Sequence, residues 1–209
     1  MKLGTIVLTM VTAFALAAQP PPGRGPGGPP GRGGPEAPGT PDGVRNRIAH
    51  INVEAESSRA ILMLARHYLD KSDGVRRGSP FAADRYLAAA DALAHAAEHQ
   101  QHMVQKSGPE PPDGAEISRH LDRVYFRLQQ ADFFVKQSAD ANAKTIATFA
   151  RQYYQQALRA STVAMAGHDA RTADECAKTV DELMRALENL AQSTAPPPPT
   201  KPEHRPGRL

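Results

Sequence analysis

The sequence lacks most of the features that would place it in a disulfide-rich, membrane-spanning or β-rich class. Its 209 residues include one Cys and no Trp, and aromatic residues make up only 5% of the chain. One Cys cannot form an internal disulfide, and the scarcity of aromatic and β-branched runs argues against a β-rich domain. The mean hydropathy of −0.49 argues against a protein with several membrane spans.

A strong excess of charge of one sign is also missing. The whole chain has 25 Lys and Arg against 22 Asp and Glu, a formal net charge of +3, and residues 44–192 contain 19 of each kind. A nucleic-acid-binding domain is expected to carry an excess of basic residues on one face. We therefore expect no nucleic-acid partner.

Proline is scarce in the middle of the chain and crowded at its ends. Nine of the 19 Pro residues lie before residue 42, and six lie after residue 195. Such segments contain too few apolar side chains to offset the entropy that ordering costs. The sequence therefore predicts disordered segments over 19–43 and 193–209, on either side of a helical bundle domain over 44–192.

Residues 1–18 have the composition of a secretory signal peptide. Lys2 supplies a positive start, an apolar stretch follows, and Ala15-Leu16-Ala17 provides the small residues of a cleavage site. The apolar stretch is shorter than the roughly 20 residues that cross a bilayer, so we expect cleavage and no remaining transmembrane anchor. This predicts a secreted or periplasmic protein.

Four segments have the composition and periodicity of amphipathic helices: 44–73, 79–107, 115–166 and 168–192. Apolar residues recur three and four positions apart in each, the spacing of one packed helix face. We predict an all-α fold, an up-down bundle of four to five helices. The apolar stripe of the third segment changes phase near 138–142. That fits either a stutter in one long helix or a break between two helices, and we favour the break.

Two parts of the predicted bundle resemble each other. Residues 61–68 and 146–153 share Ile, Ala, Arg and Tyr at the same positions, and residues 91–98 and 181–188 share Asp, Leu, Ala and Glu. Shared polar positions are hard to explain by apolar periodicity alone. We therefore predict two duplicated helical hairpins, with chance similarity between Ala-rich helices as the alternative.

The strongest candidate for chemistry is a group of four residues in one predicted helix: His95, His99, His102 and Met103. Successive His residues are four and three positions apart, so their side chains can converge. Neutral imidazole binds Cu, Zn or Ni, and the Met thioether would suit Cu(I). The apolar stripe, however, predicts that these residues face water, which favours a solvated surface over a dedicated metal site.

Two adjacent aromatic pairs, Tyr125-Phe126 and Phe133-Phe134, are candidates for partner binding. Neighbouring residues of a helix cannot both point into a core, so one of each pair is expected to be partly exposed. A groove lined by such rings can take a partner peptide or an apolar ligand. Ordinary core filling is the alternative.

Catalytic motifs are missing from the sequence, which contains no Gly-x-Ser-x-Gly, no P-loop and no Cys-x-x-Cys-His. Cys176 falls on the apolar stripe of the last helix, which predicts a small buried residue. We therefore predict an exported, non-enzymatic binding or scaffolding protein without a cofactor, whose partner is a protein or a component of the cell envelope. The alternative is a periplasmic protein that binds or senses Cu, Zn or Ni through the His group.

Overall fold

The structure, a computed structural model, describes residues 39–105, 110, 112–163 and 168–194. These residues form seven helices and no strand: α1 (Pro41–His50), α2 (Glu56–Val75), α3 (Pro80–Gln105), α4 (Gly114–Leu128), α5 (Ala131–Gln137), α6 (Ala143–Val163) and α7 (His168–Ser193). The predicted all-α fold is confirmed. None of these seven helices is both long and apolar enough to cross a bilayer. The predicted signal peptide and nearly all of the two predicted disordered segments lie outside the described residues.

The first helix begins earlier than the sequence predicted. The Thr40 hydroxyl caps it by accepting from the Gly43 N–H at 3.1 Å, and Pro41 occupies the first helical position, where a missing N–H costs nothing. Residues 41–43, which composition assigned to a disordered segment, are therefore the first turn of α1. A window rich in Pro and Gly hides this boundary, because a capping Thr and a Pro are also common in disordered sequence.

The segment 44–73 was predicted as one helix, but it contains a break. Residues 51–55 separate α1 from α2, and the backbone is extended at both ends of this stretch. No Gly or Pro marks the break in the sequence. The Arg59 guanidinium donates to the carbonyl oxygens of Val53 and Glu54, which satisfies acceptors that a continuous helix would otherwise pair.

The predicted break within 115–166 is confirmed, and a second break precedes it. α5 ends where the backbone of Ser138 becomes extended, and the Asp140 side chain accepts from the Asn142 N–H at 2.9 Å just before α6 begins. A turn at 129–130 separates α4 from α5. The bundle is the predicted one, but its helices are shorter and more numerous than the four to five expected.

The centre of the bundle is the antiparallel pair α3 and α7. α2 packs against α3 and α6 against α7, α1 contacts α2 and α3, and α4 and α5 contact α6 and α7. α3 approaches its neighbours closely because most of its buried side chains are small. The buried alanines of α3 are Ala83, Ala89, Ala90, Ala92, Ala94, Ala96 and Ala97.

Cys176 of α7 is fully buried among apolar side chains, as predicted. Burial, with a smaller contribution from the charge of Glu175, raises the pKa of its thiol to about 12. The sulfur therefore stays protonated and packs as a small apolar group. A thiol in this state is a poor nucleophile.

The matching segments of the sequence occupy corresponding places in the two halves of the bundle. Tyr68 of α2 and Tyr153 of α6 are both buried. Each phenol donates a hydrogen bond to the other half, Tyr68 to Asp140 at 2.6 Å and Tyr153 to Ser57 at 3.0 Å. Each half therefore donates one tyrosine hydrogen bond to the other half.

In each half, an Arg of the first helix also pairs with two carboxylates of the long central helix. In the first half Arg47 of α1 pairs with Asp91 and, at 3.9 Å, with Glu98. In the second half the same arrangement is formed at 2.9 and 3.9 Å by Arg127 of α4 with Asp181 and Glu188 of α7. α1 and α4 therefore correspond as well, although too few of their residues are identical for the sequence comparison to find it. Duplication as the origin of this likeness stays a prediction.

Candidate functional site

Three of the four aromatic candidates are exposed, two on α4 and one on α5. Phe126 is 70% exposed, Phe133 58% and Tyr125 45%. The rings of Phe126 and of Tyr154 of α6 both contact Tyr125, and these three side chains are called the aromatic face below. Phe134 instead packs, partly buried, against the core. Core filling, the alternative for these residues, therefore describes Phe134 but not the three exposed side chains.

An open cleft adjoins the aromatic face. The ring centroids of Tyr125 and Tyr154 are 5.9 Å apart and the rings are tilted by 31°, and the cleft beside them has a volume of about 290 Å³. Gln129 and Gln155 also line it, and Arg151 is shared with a second cleft along α6, of about 500 Å³. This surface combines aromatic rings with hydrogen-bonding groups.

The His group of α3 does not face water in the way the sequence predicted. The side chains of His95 and His99 are each only 22% exposed. The expected stripe through Leu93 and Ala97 is buried, but α3 is packed on more than that face because α7 lies against it. Small Ala residues all round α3 gave no indication of this second packed side.

The structure brings two of the four predicted metal ligands together with a residue that sequence reasoning missed. His99, His102 and Glu175 of α7, called the His99 group below, each place a potential ligand atom within 4.8 Å of the others. His95 instead lies 3.4 Å from Glu98. Met103 also lies outside the group, with its sulfur 3.8 Å from the sulfur of buried Cys176.

Glu175 is a buried carboxylate held in its charged form. It is 3% exposed, and its oxygens lie 2.8 Å from Nδ1 of His99 and 3.0 Å from Nζ of Lys178. Burial alone would raise the pKa of Glu175, but the hydrogen bonds from His99 and Lys178 outweigh burial and lower it. Because a carboxylate only accepts, Nδ1 of His99 donates this hydrogen bond, which leaves Nε2 of the neutral ring as an acceptor.

A second polar cluster, also missed from the sequence, joins α4 to α7. The His120 ring lies 3.4 Å from an oxygen of Asp174 and 3.3 Å from one of Asp181. Burial lowers the pKa of His120, but hydrogen bonds to the two carboxylates outweigh burial and raise it. Arg123 and Arg127 also donate to Asp181. All acceptors here have basic partners, which indicates a structural role.

Comparison with known proteins adds nothing to these two regions. No protein-family model matches the chain, and no curated protein or solved structure is significantly similar to it. A functional interpretation therefore depends on the geometry of the aromatic face and of the His99 group.

Proposed function

We propose that this is an exported, non-enzymatic binding or scaffolding protein whose aromatic face holds an extended, proline-rich peptide. The observation that carries the proposal is the exposure of two adjacent aromatic side chains, Tyr125 and Phe126, which form one cluster with Tyr154 beside an open cleft. Clustered apolar side chains on a surface are typical of interaction sites. The signal-like sequence of residues 1–18 and the lack of catalytic motifs support export and a non-enzymatic role.

The fold does not require aromatic residues at these positions. α1 corresponds to α4, and the positions that match Tyr125 and Phe126 hold Arg45 and Asn46, which are exposed as well. In both helices the pair lies between a fully buried Val and the Arg that contacts an Asp and a Glu. Since the first half folds with polar residues at these positions, packing alone does not explain the aromatic pair of the second half.

A proline-rich peptide fits the chemistry of this surface. A polyproline II helix has no internal hydrogen bonds, so its carbonyl oxygens are free to accept. Aromatic-lined grooves bind such peptides through contacts with the Pro rings. Tyr125 and Tyr154 supply the aromatic rings, and Gln129 and Gln155 supply amide donors in the same cleft. An amphipathic helix would instead need a long apolar groove.

The chain carries such a peptide at its own C-terminus, and we propose this sequence, from the same or a second copy, as the occupant. Residues 196–199 are all Pro, and they follow Thr194, whose hydroxyl lies 3.4 Å from the carbonyl oxygen of Gln137 at the end of α5. Asp132, near the start of α5, lines the cleft. The distance back along α5 is about 8 Å, whereas a polyproline II helix of 11 residues spans about 34 Å, so a sequence of this length can reach the aromatic face. Binding between copies would link them, which is the scaffolding form of the proposal.

The test is a titration of a synthetic peptide of residues 194–209 into the mature full-length chain. Residues 196–199 of that chain are replaced by Ser so that its own tail does not compete. We expect saturable binding that Tyr125→Ala weakens about fivefold, because an aromatic contact contributes about 1 kcal/mol. Met63→Ala is the matched control, since Met63 is an exposed apolar side chain of α2 and should not affect binding.

A peptide with Ser in place of every Pro is the control ligand and should not bind. Absence of saturable binding, or equal weakening by the Met63 and Tyr125 variants, would contradict the proposal. Tighter binding of an amphipathic helical peptide than of the proline-rich one would show that the occupant is of a different kind.

A further inference from the structure

Three potential ligand atoms from two helices converge at the seam between α3 and α7. One nitrogen from each of His99 and His102 and one oxygen of Glu175 lie within 4.8 Å of one another. Donors that bind a tetrahedral ion at about 2.0–2.1 Å are about 3.4 Å apart. The 2.8 Å contact between Nδ1 of His99 and Glu175 is an N–H···O hydrogen bond, so for Nδ1 to bind an ion the ring proton moves to Nε2 and the ion replaces this hydrogen bond.

The His102 side chain is available as a ligand. Among the described residues, the His102 ring forms no hydrogen bond or ion pair; its contact is with the His99 ring, edge to face at 6.3 Å. The nitrogen atoms of His102 therefore have no hydrogen-bonding partner within the described part of the chain.

The corresponding place at the other end of the α3–α7 pair shows that the fold needs no metal ligands there. The positions that correspond to the His99 group hold Arg85, Asn189 and Gln192. Arg85 donates to the Asn189 side chain at 3.3 Å, so a polar contact between α3 and α7 is kept. A guanidinium cannot bind a cation, and the three ligands are therefore a specific feature of one of the two corresponding places.

We infer that the His99 group binds one divalent transition-metal ion between α3 and α7. Two imidazoles and one carboxylate suit Zn²⁺, Cu²⁺ or Ni²⁺, whereas Mg²⁺ and Ca²⁺ prefer sites made of oxygen alone. Three protein ligands leave a coordination position for water or for an exchangeable ligand. The His99 group shares no residue with the aromatic face or its cleft, so this inference does not depend on the proposed function.

Lys178 can give up its contact with Glu175 when an ion binds. Its ammonium also pairs with Asp174 at 2.7 Å, and this second ion pair keeps the charge compensated. The ion takes over the role of neutralising Glu175. Because it binds residues of both central helices of the folded state, it should stabilise the protein by an amount that grows with the logarithm of its affinity.

The test uses the full-length chain, stripped of metal with a chelator and then titrated calorimetrically with Zn²⁺. Thermal unfolding is followed in parallel. We expect a site for one ion per chain and a rise in Tm on binding, whereas Mg²⁺ should have neither effect. His102→Ala is the decisive variant, because it removes a ligand without removing a hydrogen bond of the fold. It should unfold like the unmodified chain without metal and bind Zn²⁺ at least about tenfold more weakly.

His95→Ala is the matched control, since His95 lies one turn away on the same helix and contacts Asp91 and Glu98 instead. It should bind Zn²⁺ as the unmodified chain does. Substituting Co²⁺ gives a second readout, because a low-coordinate Co²⁺ complex absorbs visible light and the His102→Ala variant should lose that absorption. Equal weakening by both variants would indicate a non-specific His surface and overturn the inference. Unchanged Zn²⁺ binding in His102→Ala would overturn it too, because the His99–Glu175 contact would then be only structural.

Discussion

The two halves of the bundle, residues 41–105 and 114–193, share the contacts that hold the fold and differ where a function can act. In both halves an Arg from the first helix reaches an Asp and a Glu of the long central helix, and a buried Tyr bonds across to the other half. The aromatic pair of α4 stands where α1 has polar residues, and the His99 group, at one end of the α3–α7 pair, stands where the other end has an Arg and two amides. The contacts that both halves keep are those the fold needs. Residues that occur at only one of two corresponding places are therefore the candidates for function.

The largest loss of stability is expected when a buried side chain of the shared core is truncated. Leu93 of α3 and Leu183 of α7 occupy corresponding positions, and both have no exposed surface. Truncating a fully buried Leu to Ala costs about 3 kcal/mol, and we expect Leu93→Ala and Leu183→Ala to lower the free energy of unfolding by similar amounts. Urea denaturation of each variant measures this.

A single unfolding transition should be seen for both variants, because the two halves share one hydrophobic core. Met63→Ala, at an exposed site, should change the free energy of unfolding by less than about 0.5 kcal/mol. Two separate transitions, or a loss at one Leu several times larger than at the other, would show that the halves do not contribute equally to one core.

The next largest loss of stability is expected at Asp91 and Asp181, which occupy corresponding positions in the two halves. Asp181 accepts from His120, Arg123 and Arg127, whereas Asp91 has one close partner, Arg47. Removing one side of a half-buried charge network leaves its partners uncompensated. We therefore expect Asp181→Asn to cost about 2 kcal/mol and Asp91→Asn about 1 kcal/mol. Denaturation at neutral pH measures both, and equal losses would show that the added partners of Asp181 contribute nothing.

A smaller effect, confined to the second half, is the pH dependence contributed by His120. Its folded pKa is raised above the ordinary 6.5 by hydrogen bonds to Asp174 and Asp181, which outweigh burial. The stabilisation is therefore fully present below about pH 6.5 and is lost as the pH rises through the raised folded pKa. His120→Asn should flatten the decline in the free energy of unfolding above pH 6.5.

The control for this pH effect is His67→Asn, because His67 is exposed on α2 and should leave the decline in place. The measurement is urea denaturation at several pH values from about 6 to 8.5. A decline that persists unchanged in the His120 variant would assign it to another group.

Apolar periodicity predicted the fold class and most of the buried positions because a 3.6-residue repeat records which face of a helix is packed. It did not reveal the break at 51–55, where neither Gly nor Pro occurs and the Arg59 side chain satisfies the freed carbonyl groups. It also failed for the His side of α3. Ala is found on every face of that helix, so the pattern could not show that two faces are packed.

The candidate sites were only partly predictable for a related reason. The exposure of one residue in each aromatic pair follows from the sequence, since neighbouring residues of a helix cannot both point into a core, but the pattern did not show that Tyr125 and Phe126 are both exposed. Glu175, in contrast, contacts a His 76 residues away in the chain, and no short motif records such a contact. The repeat gives indirect information only, because the positions that correspond to Glu175 and His99 also hold two polar residues, Arg85 and Asn189.

The most direct test of the central claim gives the second half the residues of the first, as the double variant Tyr125→Arg/Phe126→Asn. The free energy of unfolding and the binding of the 194–209 peptide are measured on the same preparation. We expect the free energy of unfolding to stay within about 0.5 kcal/mol of the parent and the peptide binding to be lost. A destabilisation above about 2 kcal/mol would show that the aromatic pair supports the fold. Unchanged peptide binding would show that the aromatic face does not hold the peptide, and either result would contradict the separation of shared structural residues from functional ones.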